Sequence, residues 1–350
     1  MNRPTAFFIV NLMACAVTLS VLPYPATALF YESAQDVVND DGVERINENS
    51  DDAPSDSLDK KDGAANTVVI SKAFANNDFG KYQISVLSRA LEVTSDFGEL
   101  TVSLHPQPMS QSRQLRSVLE GSVDIMWSVT SKSRESKLTP IRLPLLRGYS
   151  GHRIIVVNKK EKAQFEGITS LKVLKEKKFV QGSDWPDLKI LKANGFGVMS
   201  EDWSTWFSSM YLLVERNVVD GFPRNIIEIH NDIQYFDSST LAIDENHLIT
   251  YPNYEYFFVR SDKQQLANRI RLGLIRLIQS GELEEIFHSI DTHLLANELL
   301  NDTKRQVHQL ENPLIPGPLD YADWVKTPQL AVKAMELEMG SPSVAIDVSN

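Results

Sequence analysis

The chain has 350 residues, with 35 Lys and Arg against 46 Asp and Glu, for a net charge of −11. A hydrophobic fraction of 42% beside 23% charged residues supplies a real core and excludes wholesale disorder. The acidic balance argues against nucleic acid as the main partner, because phosphate binding needs a basic face.

Residues 1–28 read as a secretory signal peptide. Arg3 is their one charge, an apolar run covers Ala6 to Leu22, and Ala26-Thr27-Ala28 supplies a small-x-small cleavage pattern. Leu12-Met13-Ala14-Cys15 is a weaker, lipoprotein-like alternative. Cys15 is the only cysteine, so cleavage after Ala28 removes disulfides, zinc thiolates and cysteine nucleophiles together. Residues 29–66 hold 11 acidic and 3 basic residues and no aromatic after Phe30 and Tyr31. Such a segment buries too little surface to offset its chain entropy and is expected to be an acidic, disordered linker.

From Thr67 onward short apolar runs alternate with amphipathic stretches. Thr67–Ser71 is β-branched in four of its five positions and predicts a strand. Lys81–Thr94 places Ile84, Leu87 and Leu91 on one helical face. Leu100–Leu104 alternates as a strand, Ser110 can cap a helix that Gly121 stops, and Val123–Val129 reads as a buried strand. A second set follows: strand Arg153–Val157, strand Phe179–Gln181, helix Asp187–Ala193 ended by Gly195, helix Thr205–Glu215 and strand Val218–Phe222. Tyr254–Val259 is a strongly apolar strand, followed by a helix over Gln264–Gln279 and, after Gly281, a shorter one. Past about residue 300 the chain turns polar and proline-rich, a surface tail anchored by Leu314, Tyr321 and Trp324. Alternating strands and helices predict an α/β fold with largely parallel sheets. The helix–turn–strand passage into Val123-Asp124 is echoed at Val218-Val219-Asp220, a weak sign of two similar lobes.

Three patches, 115–135, 214–229 and 269–287, together with this order of elements, resemble the extracellular solute-binding proteins of bacterial ABC importers, specifically family 3, over roughly 67–295. The resemblance implies a two-lobed periplasmic-binding-protein-like fold of type 2, with two hinge strands near Val156–Lys159 and Thr250–Tyr254 and a ligand cleft between the lobes. Lobe one is then 67–157 with the return segment 253–300, lobe two 158–252, and 301–350 a tail packed on lobe one. It also implies periplasmic localisation, a small-molecule solute, an inner-membrane ABC permease as partner, a monomer, and lobe closure as the signal.

In this family a Thr-x-x-Arg-like turn places an Arg on the ligand's carboxylate. Ser131-Lys132-Ser133-Arg134 resembles it, which makes Arg134 the leading candidate, since a guanidinium can make two parallel hydrogen bonds to a carboxylate. A surface arginine paired with Glu135 is the plainer alternative. Ser128 and Thr130 are neighbouring hydroxyl candidates, and Trp127 is either a cleft wall or a core residue. Ser183, Asp184 and Trp185 precede Pro186 at a helix start where backbone N–H groups can face an anion. Asp184 and Asp187 oppose an anion there, and simple helix capping explains them equally well. Where amino-acid binders of the family carry an acid for the ligand's ammonium, this chain has Arg224 and Asn225. If Arg134 and Arg224 both face the cleft, the solute is an anion such as a carboxylate. A solvated Arg224, or Glu228 standing in for the missing acid, are the alternatives. Trp185, Trp203, Trp206, Tyr251, Tyr254 and Tyr256 are candidates for stacking on a ligand, although Trp206, Phe207, Met210 and Tyr211 are spaced as ordinary helix core.

Enzyme signals are poor. Gly148-Tyr149-Ser150-Gly151 is not a nucleophile elbow, and His288 and His293 lack a zinc-protease spacing. No cofactor or metal is expected. The reading is therefore a solute-binding protein without chemistry. A ligand-sensing module for a membrane receptor is one alternative. A periplasmic lyase or dehydratase, using Glu135 or Glu228 as its acid or base, is another.

Overall fold

A computed structural model describes residues 66–73, 80–202, 206–235 and 239–340. The expected signal segment 1–28 and nearly all of the linker 29–66 lie outside the described residues, as do Trp203 and the side chains of Trp206 and Phe207. All described residues belong to one compact unit, Lys60–Asn350.

The strands in chain order are β1 Thr67–Lys72, β2 Thr101–Pro108, β3 Ile125–Val129, β4 Leu138–Ile141, β5 His152–Asn158 and β6 Lys178–Gly182, then β7 Gly197–Glu201, β8 Gly221–Asn225, β9 Leu241–Ile243, β10 His247–Thr250, β11 Glu255–Arg260 and β12 Gln306–Gln309. The helices are α1 Lys81–Glu92, α2 Gln111–Glu120, α3 Lys132–Glu135, α4 Lys162–Glu166, α5 Leu171–Leu174 and α6 Pro186–Ala193, then α7 Trp206–Glu215, α8 Ile229–Tyr235, α9 Gln264–Ser280, α10 Glu282–His288, α11 Asp291–Leu300 and α12 Pro328–Met339.

Two sheets form, one per lobe. The first has the order β2-β1-β3-β11-β4, with β1 parallel to β2 and β3, and β11 returning antiparallel between β3 and β4. The second has the order β12-β10-β5-β8-β6-β7, with β9 also paired to β5. β3 and β11 are buried through most of their length, as central strands covered on both faces must be. Pro140 is tolerated because β4 is the edge of its sheet. Gly121 ends α2 at φ 80°, a conformation that side chains with a Cβ resist.

The Val-Asp echo has a structural counterpart. In the first lobe Asp124 N donates to Val69 O at 2.9 Å while Asp124 Oδ2 accepts from Val69 N at 2.8 Å. In the second, Asp220 N donates to Lys178 O and Asp220 Oδ2 accepts from Lys178 N, both at 2.7 Å. Each aspartate brackets the first or a middle residue of the neighbouring parallel strand, so both lobes start the corresponding strand in the same way.

Three boundaries differ from the sequence expectation. β5 pairs within the second sheet, so the chain crosses between lobes from Arg142 to Gly151, ahead of Val156–Lys159. The expected strand Val218–Phe222 begins at Gly221 instead. Asn217 adopts φ 54° and Val218 remains exposed, so the turn extends further and carries Arg224 into β8. The tail does not rest on one lobe alone: β12 adds to β10 in the second sheet, while Trp324 and α12 pack on the first lobe's core. The two main crossings lie side by side, with Tyr251 N donating to Gly151 O at 3.0 Å and Ser150 Oγ to Asn253 O at 2.5 Å.

Candidate functional site

The carboxyl ends of the parallel strands in both sheets face a common cleft beside these crossings. In doubly wound sheets this is where ligands sit, because strand ends and helix starts there leave polar groups unused by the ladder. Gln111 at the start of α2 and Trp127 and Ser128 of β3 come from the first lobe. Gln181 at the end of β6, Arg153 of β5 and Arg224 of β8 come from the second. They enclose a cavity of about 100 Å³. A second cavity of about 360 Å³ adjoins it, and Trp127, Glu228 and Glu255 line both.

The cleft's charges are mostly matched. Arg153 is buried and donates from Nε to Asp187 Oδ1 at 2.9 Å, with Nη2 on the same oxygen, and the Tyr251 hydroxyl also donates there. Arg224, only 4% exposed, forms ion pairs with Asp232 at 2.5 Å and Glu228 at 3.1 Å. Burial opposes its charge, but Asp232 and Glu228 outweigh that effect and hold its pKa above the ordinary arginine range. Its guanidinium also lies 5.3 Å from the Trp185 ring centroid. Trp185 fits over the strand end because Gly182 has no side chain; a Cβ there would stand 2.6 Å from the indole.

Arg134 occupies a different position from the one expected. It is 9% exposed and does not line the cleft; its guanidinium lies behind it, with Nη1 donating to Val129 O and Nη2 to Gln111 Oε1 at 2.6 Å. Burial pulls its pKa down to about 10, against the nearby Asp184 and Asp187. Among the described residues no carboxylate is in ion-pair contact with it, and Glu135 instead pairs with Arg142 at 2.7 Å and accepts from Thr130 Oγ1 at 2.5 Å. Ser128 Oγ also approaches Gln111 Oε1, at 3.4 Å. Gln111, a cleft-lining residue, thus has its amide oxygen engaged by both donors.

Of the sequence candidates, Trp127, Ser128, Trp185 and Arg224 line the cleft, and Arg134 stands directly behind it. Thr130 is buried and committed to Glu135. Ser183 and Asp184 line a separate depression outside the cleft. Asp184 does not cap α6, whose N-terminus has no side-chain cap; its Oδ2 accepts from Ser112 N at 3.2 Å, across to the first turn of α2. It is thus a contact between lobes. The tyrosines divide similarly: Tyr254 and Tyr256 stack on each other in the first lobe's second core, and Met210 and Tyr211 are core, as their spacing indicates. The residues that sequence reasoning did not single out are Gln111, Arg153, Gln181 and Glu255. A usable signal existed for two of them: Arg153 and Glu255 are charges at or near the start of strands whose middle is apolar.

Among the described residues no group of three or more His, Asp or Glu is placed to hold a metal ion, and no helix is long and apolar enough to cross a membrane.

No family model matches the sequence, and no curated protein matches it. Solved structures do. An ancestral arginine-binding protein bound to arginine is 18% identical, with 64% of this chain and 97% of that one covered at a TM-score of 0.50. A mutant of the arginine-binding protein of T. maritima is 14% identical, covering 65% and 95%, at 0.49. A histidine kinase sensor domain similar to periplasmic binding proteins is 16% identical, covering 64% and 95%, at 0.48. The chain has the two-lobed α/β fold of type 2 periplasmic binding proteins.

Proposed function

We propose that the chain captures a small polar solute between its lobes and performs no chemistry on it. The observation that carries this is the composition of the cleft: hydrogen-bonding side chains from both lobes, Gln111 and the buried Ser128 on one side and the buried Arg153, Gln181 and Arg224 on the other, converge beside the two crossings. A solute held by both sides favours lobe approach by its differential contacts, which is how a ligand drives closure. Import through an inner-membrane ABC permease is the proposed use, with the chain working as a periplasmic monomer. The expectation of an anion rested on two arginines facing the cleft. Arg224 is neutralised by Asp232 and Glu228, and Arg134 acts through Gln111, so the geometry does not favour that finer reading.

The test is a thermal-shift screen of the protein against amino acids, amines, dicarboxylates, keto acids and small sugars. A ligand at 100 times its dissociation constant adds about 2.7 kcal/mol of stability and raises Tm visibly. The expected result is a hit that is lost in Trp127→Ala. No shift from any class overturns the reading.

A further inference from the structure

Beyond α11 the chain leaves the first lobe, adds β12 to the second sheet, and returns to the first lobe's core at Ile315. Two short segments, 301–305 and 310–315, therefore join the lobes in addition to the two main crossings. The hold on the second lobe is made of buried groups. Arg305, 7% exposed, donates from Nη1 to Asp244 O at 2.6 Å and to His247 O at 3.2 Å. The buried rings of His308 and His247 share a hydrogen bond of 3.0 Å between Nε2 and Nδ1. Leu310 joins that lobe's core beside Ile155, Phe165 and Tyr251. Asn194, at the end of α6, clasps the backbone of Glu311, donating to its O at 2.8 Å and accepting from its N at 3.2 Å.

The return segment runs alongside the second crossing. Leu310 N donates to Thr250 O at 2.8 Å, Asn312 Nδ2 to Pro252 O at 2.8 Å, and Leu319 N to the Tyr254 hydroxyl at 2.9 Å. Ile315 is buried in the first lobe with Tyr254 and Tyr256. It stands five positions beyond Leu310, and a chain of that length spans at most about 18 Å. Pro313 fixes its own φ and restricts Asn312, whose Oδ1 accepts from Leu314 N at 2.9 Å. Such a segment has little slack. Swinging the lobes apart has to bend it together with the crossing beside it, or draw a buried side chain out of one core.

We propose that residues 301–319 form a splint on the hinge, which confines the lobes to a narrower range of opening than two crossings alone would allow. The cleft cavities are lined by other residues, so the splint acts on the hinge without touching a solute. Its link toward the cleft runs through α3: Leu314 O accepts from Lys132 N at 2.8 Å, and α3 carries the Arg134 that bonds Gln111. A hinge with fewer open states has less conformational entropy to lose on closing. The inference stands on the two-lobed fold and is independent of whether the chain binds a solute.

The experiment places spin labels on the exposed positions Arg116→Cys of α2 and Lys189→Cys of α6, one per lobe, in the full chain carrying Cys15→Ser. Pulsed electron resonance then gives the distribution of distances between the lobes. A slackened variant has six Gly/Ser residues inserted after Asn301 and again after Asn312, each insert adding roughly 13 Å of flexible reach. The expected result is a distribution about twofold broader and extended to longer distances, with both lobes still folded by thermal melting. Asn312→Gly combined with Pro313→Gly softens the return segment without lengthening it and keeps every buried anchor. It should broaden the distribution in the same direction, and it decides the matter if the insertions prevent folding. An unchanged width in the slackened variant overturns the inference, as does an unchanged width in the double-glycine variant where only that one folds.

Discussion

Arg134 donates from Nη2 to Gln111 Oε1 at 2.6 Å, and it is Gln111, not Arg134, that lines the cleft. The arginine is thus a positioning residue whose charge reaches the cleft through a neutral amide. Gln111→Glu should form an ion pair with Arg134 and remove the amide N–H donors of this cleft-lining residue. The expected outcome is a rise in stability of about 1 kcal/mol together with a roughly tenfold loss of solute affinity. Chemical denaturation and calorimetry on the same variant check the two opposite directions; a gain in affinity would show that Gln111 does not donate to the solute.

Arg224 and Asp232 are both almost completely withdrawn from water, and Tyr211 also donates its hydroxyl to Asp232 at 2.5 Å. Removing one member leaves the other charge buried with less compensation. Asp232→Asn is expected to destabilise the fold by about 3 kcal/mol, toward the low end for such pairs because Glu228 still faces Arg224. The urea midpoint measures it, and a change below about 0.5 kcal/mol would mean that Glu228 alone suffices.

Glu255 supplies a pH signature that needs no ligand. Its folded pKa of about 7 lies above the ordinary carboxyl value of 4.5, so the folded state binds the proton more tightly. The contribution of this group to stability is therefore full below pH 4.5 and is lost as pH rises through 7. Glu255→Gln mimics the protonated form. It should exceed wild type at pH 8 by on the order of 2 kcal/mol, with the difference vanishing by pH 5. Thermal melts of both proteins across that range give the comparison, and a constant difference would contradict the raised pKa.

Trp324 fastens the tail to the first lobe. It is buried, its Nε1 donates to Pro144 O at 2.8 Å, and its ring meets Phe287 edge to face. Trp324→Ala should cost about 3–5 kcal/mol through the cavity it leaves and the lost bond. Trp324→Phe, which keeps most of the volume, should recover more than half of that. Equal losses in both would assign the effect to the indole hydrogen bond.

The α/β alternation and most strands of both sheets were legible along the chain, whereas the two lobes were implied only by the resemblance to solute-binding proteins. The legible features are periodic and local: β-branched runs such as Thr67–Ser71, helical stripes such as Leu266, Ile270 and Leu274, and stops such as Gly121 and Gly281 announce themselves within a few residues. Of the eight candidates named from the sequence, Trp127, Ser128, Trp185 and Arg224 line the cleft cavity. Tertiary structure alone decided their roles. Whether Arg224 is a free cation depends on Asp232, eight positions on, and whether Arg134 reaches the ligand depends on Gln111, on another element. Short strands such as β4 and β12 acquire their pairing only from β11 and β10, to which they are joined by long connections. The lone acid in β11 was visible as an anomaly in an apolar run. That it stands in the cleft with no cation paired to it among the described residues follows from where the return strand inserts, because electrostatic compensation is set by distance in space and leaves no periodic trace along the chain.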